Sequence, residues 1–237
     1  MKGLKLIAAV LSMCLAVLAL GYRLAASSRN HVANRLNDSP AGGEVARDLS
    51  KLAPPAISSY RLDASQSKFI AHAFAGGLFW FKGHDHLVAV REFTGEARLD
   101  PASLAGSSLE LDARTASMEE TSSVFTDAQK KIINKELHDI VLLPDQYPDI
   151  VFRSTRVTGN RIDDLKIAGD LTLNGVTRPI TIPTRVTLTG NDLRAQGEFS
   201  IDRSDFKVKA TSAFHGLVRV RSKVKFEFDI VGHRSSS

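Results

Sequence analysis

What most constrains this chain is a strict two-residue alternation of apolar and polar side chains that returns along its C-terminal three-quarters. Phe93, Gly95, Ala97 and Leu99 interleave with Thr94, Glu96, Arg98 and Asp100, and Leu109, Leu111 and Ala113 oppose Glu110, Asp112 and Arg114. Leu193, Ala195, Gly197, Phe199 and Ile201 alternate with Arg194, Gln196, Glu198, Ser200 and Asp202. Near the C-terminus Val224, Phe226, Phe228 and Ile230 alternate with Lys223, Lys225, Glu227 and Asp229. Successive side chains of a strand point to opposite faces, so each run reads as a half-buried strand with one dry side. Asn174-Gly175, a dipeptide suited to positive φ, separates Leu171-Thr172-Leu173 from Ile180-Thr181-Ile182 and predicts an antiparallel hairpin. Many strands with short connections and one apolar face each must stack as two sheets or close into a barrel.

One segment breaks the pattern. Across residues 119–137, Val124, Phe125, Ala128, Ile132, Ile133 and Leu137 recur at three- and four-residue spacing. This predicts an amphipathic helix that caps or flanks the sheet. Asp127 sits among Lys130, Lys131 and Lys135 on its polar face, which argues against a helix lying on a membrane. The fold class is therefore all-β with one amphipathic helix, its antiparallel strands forming either two stacked sheets or a closed barrel.

The N-terminus reads as an address. Two lysines precede the run 6–20, apolar apart from Ser12, and the small residues Gly21, Ala25 and Ala26 follow. Residues 1–26 are expected to be a signal peptide, with an uncleaved N-terminal membrane anchor as the alternative, because the run falls short of the ~20 residues that span a bilayer. Cys14 lies in mid-run behind bulky Met13, which is no site for lipid attachment, and as the lone cysteine it leaves the folded part without a disulfide. Residues 27–59 mix Ser, Asn, Pro, Gly and charges with isolated leucines and read as a disordered linker. The domain is expected over residues 60–232, with a disordered tail at 233–237.

Composition adds exclusions. Hydrophobic residues at 43%, aromatics at 7% and charged residues at 24% rule out collagen-like, disulfide-scaffold and multi-span membrane classes. The formal net charge of +5 is spread among alternating acids and bases, which points away from nucleic acid.

The inner face is unusual in the first long strand, where Phe69, Ala71, Ala73 and Ala75 share a side. If that side points inward, methyl groups leave space in the barrel; Gly95, Ala97, Gly169, Ala195 and Gly197 thin other strands in the same way. Leu111, Phe152, Leu171, Phe199, Phe226 and Phe228 are candidate apolar walls. Alternation alone leaves two outcomes open: a lumen for a hydrophobic guest, or small residues compensated by large ones opposite in a filled, purely structural core.

Tyr60-Arg61-Leu62-Asp63, Phe93-Thr94-Gly95, Tyr147-Pro148-Asp149-Ile150-Val151-Phe152 with Ser154, Gly169-Asp170-Leu171-Thr172-Leu173-Asn174-Gly175-Val176-Thr177 and Arg203-Ser204-Asp205-Phe206 occur in this order. In these motifs the chain resembles the YceI family over the whole foldable region. The resemblance implies a lipocalin-like antiparallel β-barrel of about eight strands, typically periplasmic, that holds an isoprenoid, quinone or fatty-acid-like chain in its lumen for carriage or storage. It implies no catalysis and no cofactor beyond the bound lipid. Two departures bear on the ligand: Gln66 stands where the family often has His before the first strand, and Val141-Leu142-Leu143 replaces an aromatic-rich segment before Tyr-Pro.

Gly83-His84-Asp85-His86 follows Leu78-Phe79-Trp80-Phe81. On a strand His84 and His86 share a side, and with His72 as third ligand they would make a metal-binding barrel. The plainer reading places His84, His86 and Trp80 at the barrel mouth, where they position a ligand head group. No Gly-x-Ser-x-Gly, His-Glu-x-x-His or phosphate-binding glycine loop occurs, and the pairs Asp163-Asp164 and Glu119-Glu120 are read as solvated in a turn and at a helix start. Candidate partners are thus a hydrophobic small molecule, the membrane through the N-terminus, and a second copy of the chain in a homodimer; nucleic acid is not among them.

Overall fold

The computed structural model of the chain describes residues 57–77, 81, 83–209, 212–213 and 218–235. The segment expected to direct export, nearly all of the expected linker and Trp80 lie outside the described residues. No helix among those described is long and apolar enough to cross a membrane.

The chain enters through β1 (Ser58–Gly76), then β2 (His86–Val90), β3 (Phe93–Leu99), β4 (Ser108–Arg114) and the short β5 (Met118–Glu120). Helix α1 (Asp127–Glu136) follows and runs on into a π-helical segment, Leu137–Leu142. Next come β6 (Asp149–Arg161), β7 (Asp164–Leu173), β8 (Val176–Thr189), β9 (Asp192–Asp202), β10 (Ser212–Ala213) and β11 (Val218–Arg234).

Eight of these strands close a ring. Around it β1, β3, β4, β6, β7, β8, β9 and β11 pair in that order, and β11 returns to β1, every pair antiparallel. The alternation resolves as a closed barrel rather than two stacked sheets, so the ring has no free edge. β2 extends the wall past β3 by pairing Ile70–Ala73 of β1 with Ala89–His86, and β5 lies beside β2. One end of the barrel carries Ser58, Arg234 and the β8–β9 turn. The other, the helix end, carries α1, the β7–β8 turn and the segments that follow β1 and β9.

The period-two pattern becomes burial directly. Along β7, Leu165, Ile167, Leu171 and Leu173 are buried while Lys166, Asp170 and Asp164 face water. At the end of this strand Asn174 and Gly175 adopt φ of 52° and 70°, and Leu173 faces Val176 across a two-residue turn. This is the hairpin the Asn-Gly dipeptide predicts.

Three departures from the sequence reading have local causes. α1 starts at Asp127 rather than near residue 119, because Thr126 caps it: its side chain accepts from Gln129 N while Gln129 returns a bond to the Thr126 N–H. Val124 and Phe125 fall in register with Ile132 and Ile133 but precede that cap, and Glu119 and Glu120 belong to β5. Secondly, β1 carries a bulge between Asp63 and Lys68, closed by Ser67, whose hydroxyl donates to Asp63 O and accepts from Val231 N. Thirdly, the ordered barrel outruns 60–232 at both ends. β1 begins at Ser58, and the stretch expected as a tail is strand to Arg234, with Arg234 N bonded to Asn191 O and Ser235 N to Ser59 O.

Candidate functional site

The side of β1 that carries Phe69, Ala71 and Ala73 faces the barrel interior, and Ile70, His72 and Phe74 face out. There the three inward residues border a cavity of about 330 Å³ along the barrel axis. That lies within the size range of small-molecule pockets, about 300–1,000 Å³, and is roughly twice the apolar cavity of ~150 Å³ known to stay dry and admit benzene.

The cavity has two unlike walls. On adjacent strands β1, β11 and β9, Phe69 pairs with Phe228 and Phe226 with Phe199. The rings of Phe199 and Phe226 stack at 4.9 Å, and Phe69 lies 6.1 Å from Phe226 and 6.4 Å from Phe228. Across the ring, β4, β6 and β7 supply Leu111, Phe152 and Leu171, with Leu111 opposite Phe152 and Phe152 opposite Leu171 in the pairing register. The helix end is covered by Ile133 of α1 and by Leu137 and Val141 of the π-helical segment. Charged lining residues sit only near the ends: Arg98 at the close of β3, and His86, Glu136, Arg203 and Lys209 at the helix end.

The small inward residues divide into two kinds. Ala71, Ala73, Ala97 and Ala195 border the open space. The glycines do not thin the wall as the sequence leads one to expect, because neighbouring side chains cover them, Leu62 over Gly95 and aromatic rings over Gly169 and Gly197. A Cβ at Gly169 would stand 2.6 Å from Phe152 Cζ, and one at Gly197 would stand 2.7 Å from Phe228 Cζ. Those glycines let strands approach closely while Phe152 and Phe228 fill the gap, so the free volume belongs to the alanines.

The histidines separate. His84 is exposed and does not border the cavity; its ring meets Phe125 edge-on at 5.7 Å. His86 borders it and stacks on the same Phe125 at 5.2 Å. His72 pairs with Leu87 while His86 pairs with Ala73, so the two imidazoles occupy opposite faces of the sheet. His72 instead lies 3.6 Å from Glu227 on the outside. The three-histidine metal constellation is thereby excluded, and among the described residues no group of three or more His, Cys, Asp or Glu could hold an ion.

The residue that sequence reading misplaces is Glu120. Its side chain is wholly buried, and its carboxylate lies 2.7 Å from His86 Nδ1 and accepts from Leu87 N and Ser122 N. Burial pushes its pKa up, but these three hydrogen bonds outweigh that and hold it below the ordinary glutamate value. Met118 and Glu120 share the inward parity of a strand, so reading Met118-Glu119-Glu120 at period two would have placed an acid inside.

Parts of three signature motifs gather at the helix end, while Tyr60-Arg61-Leu62-Asp63 lies toward the other. The Tyr147 ring lies on Gly175, where a Cβ would stand 2.9 Å from its Cε1. Asn174 Nδ2 donates to Phe206 O and Lys207 O at 3.1 and 3.2 Å, and Thr115 Oγ1 donates to Tyr147 O at 2.7 Å. Phe206 itself is buried. These residues brace three separate segments and do not line the cavity.

Comparison with known proteins places this geometry. Residues 60–232 match the YceI-like domain family. Protein YceI of Escherichia coli O6:H1 is 30% identical over 145 residues, which cover 58% of this chain and 72% of that one. A UPF0312 protein of Vibrio cholerae is 33% identical over 101 residues, 43% of this chain and 50% of the relative. The chain thus spans about half the length of the Vibrio relatives it matches. The crystal structure of Burkholderia cenocepacia BcnA shares the fold with a TM-score of 0.59 at 22% identity, covering 72% of this chain and 98% of that one. A polyisoprenoid binding domain from Saccharophagus degradans shares it with a TM-score of 0.54 at 13% identity, covering 76% and 100%.

Proposed function

We propose, on the premise that this chain belongs to the YceI family, that it is an exported binding protein which carries or stores a long apolar molecule in its barrel. The observation that carries this reading is the cavity of about 330 Å³ with a predominantly apolar lining and charges only near its ends. A packed interior leaves few voids larger than a water, so a space of this size inside a closed barrel points to an occupant. Each buried methylene contributes about 0.8 kcal/mol, and an isoprenoid, quinone or fatty-acyl chain would bind tightly with few polar contacts. The polyisoprenoid binding domain among the structural relatives supports the same class of guest. Export rests on the apolar N-terminal run and its small-residue exit.

The test is organic extraction of protein purified from its own host, followed by mass spectrometry. One lipid species in near-stoichiometric amount supports the carrier. Lipid-free protein that also fails to take up an apolar fluorophore would leave a structural barrel. Cell fractionation checks export: full-length chain in the soluble cytoplasm would sink that part.

A further inference from the structure

We infer that His86 and Glu120 form an anchor for the hydroxyl group of the lumen ligand, a long apolar chain ending in O–H; this rests on the carrier reading above and specifies its head group. The Glu120 carboxylate is buried completely, and both its oxygens are engaged: Oε1 by Leu87 N and Ser122 N, Oε2 by His86 Nδ1 at 2.7 Å. An ionised carboxylate only accepts, so the short contact makes a hydrogen bond with the imidazole proton on Nδ1. Taken as neutral, the ring keeps a lone pair on Nε2, and among the described residues Nε2 has no hydrogen-bond partner. The ring is fixed by stacking on Phe125 at 5.2 Å with an 18° tilt, and it borders the cavity beside Ala73, its partner across β1 and β2.

A basic nitrogen at the edge of an apolar lumen calls for a donor. A hydroxyl meets it directly, whereas a ketone or ester presents lone pair to lone pair. A carboxylate or phosphate at Nε2 would bring a second negative charge close to the buried Glu120 carboxylate, which already takes the imidazole as its partner. Backbone contacts deepen the arrangement: Glu120 N donates to Asn134 Oδ1 of α1 at 2.7 Å, so the acid is tied to the element that covers this end of the cavity.

The test uses the purified full-length chain stripped of lipid, with displacement of N-phenyl-1-naphthylamine by hexadecane, 1-hexadecanol, 2-hexadecanone and palmitate. His86→Phe is expected to weaken 1-hexadecanol roughly three- to tenfold more than it weakens hexadecane, the range of one buried hydrogen bond. Glu120→Gln is the second variant. Its amide N–H₂ would face Nδ1 and move the imidazole proton to Nε2, so 2-hexadecanone should improve relative to the wild type. Wild-type binding of hexadecane and 1-hexadecanol with no change in either variant overturns the anchor and leaves the carrier standing. Palmitate as the tightest probe overturns it in favour of Arg203 and Lys209, which border the cavity at the same end. If no probe displaces the fluorophore from the wild type, the carrier reading falls and the anchor with it.

Discussion

The Phe228 ring covers the backbone of Gly197 on the neighbouring strand, so close that an added Cβ would stand 2.7 Å from Cζ and would also press on Pro183 O. Neither neighbour yields cheaply, since one is a ring packed against Phe69 and Phe199 and the other is ladder backbone. Gly197→Ala is therefore expected to lower stability by about 1–3 kcal/mol, the cost of overpacking. Urea denaturation measures it; a loss below a few tenths would show that strand and ring shift freely.

Ala73 tests the opposite situation. It borders open cavity, so Ala73→Trp should cost little in stability while it displaces the guest. The measurement pairs a thermal melt with lipid extraction. A melt lowered by several degrees with the lipid retained would mean that the void lies elsewhere.

Much of the architecture was legible in the residues, and the reasons differ by element. The period-two runs required strands with one dry face, and Asn174-Gly175 located a hairpin to the residue, because both signals are local and strong. The helix start was obscured because Val124 and Phe125 continue its apolar spacing before the Thr126 cap. In β1 the alanine face was readable as parity, but which glycines stay open depends on which ring leans over them from the next strand, and pairing register is absent from a single run. The same holds for the site. Phe69, Ala71, Leu111, Phe152, Leu171, Phe199, Phe226 and Phe228 follow from alternation and all border the cavity. His84 shares the parity of His86 yet lies before β2, where parity has no meaning. Glu120 was hidden by adjacency to Glu119, since two acids together look solvated unless the strand beneath them is recognised.

Asn174 separates backbone conformation from hydrogen bonding. Its φ of 52° suits Asn or Gly, and its amide also holds Phe206 O and Lys207 O. Asn174→Gly keeps the turn and loses both bonds, at a cost of about 1–3 kcal/mol; Asn174→Ala adds roughly 1 kcal/mol of left-handed strain. An Asn174→Gly variant as stable in urea as the wild type would show that the turn, rather than the brace, governs this end.

The last prediction concerns the other end, where β1, β9 and β11 meet. His233 Nδ1 lies 2.8 Å from Asp192 and Nε2 lies 3.3 Å from Asp63, and Gln66 approaches Nε2 at 3.0 Å. The bond to Asp192, then that to Asp63, raise the His233 pKa above the ordinary histidine value. Asp63 is held well below the usual carboxylate range, first by Ser65 and Gln66 and in part by His233. A folded-state pKa raised above the unfolded one contributes stability that is full below the unfolded value and disappears as pH climbs through the folded value. The carboxylates must stay ionised for that contribution to exist, and Asp63 remains so in mildly acidic solution. The wild type should thus exceed His233→Gln in melting temperature near pH 5.5, and the gap should shrink steadily toward pH 8.5 as the imidazole loses its proton. The groups are partly exposed to solvent, so added salt should narrow the acid-side gap as well. Parallel melting curves for the two proteins across that range would show that His233 holds the strands through uncharged hydrogen bonds alone.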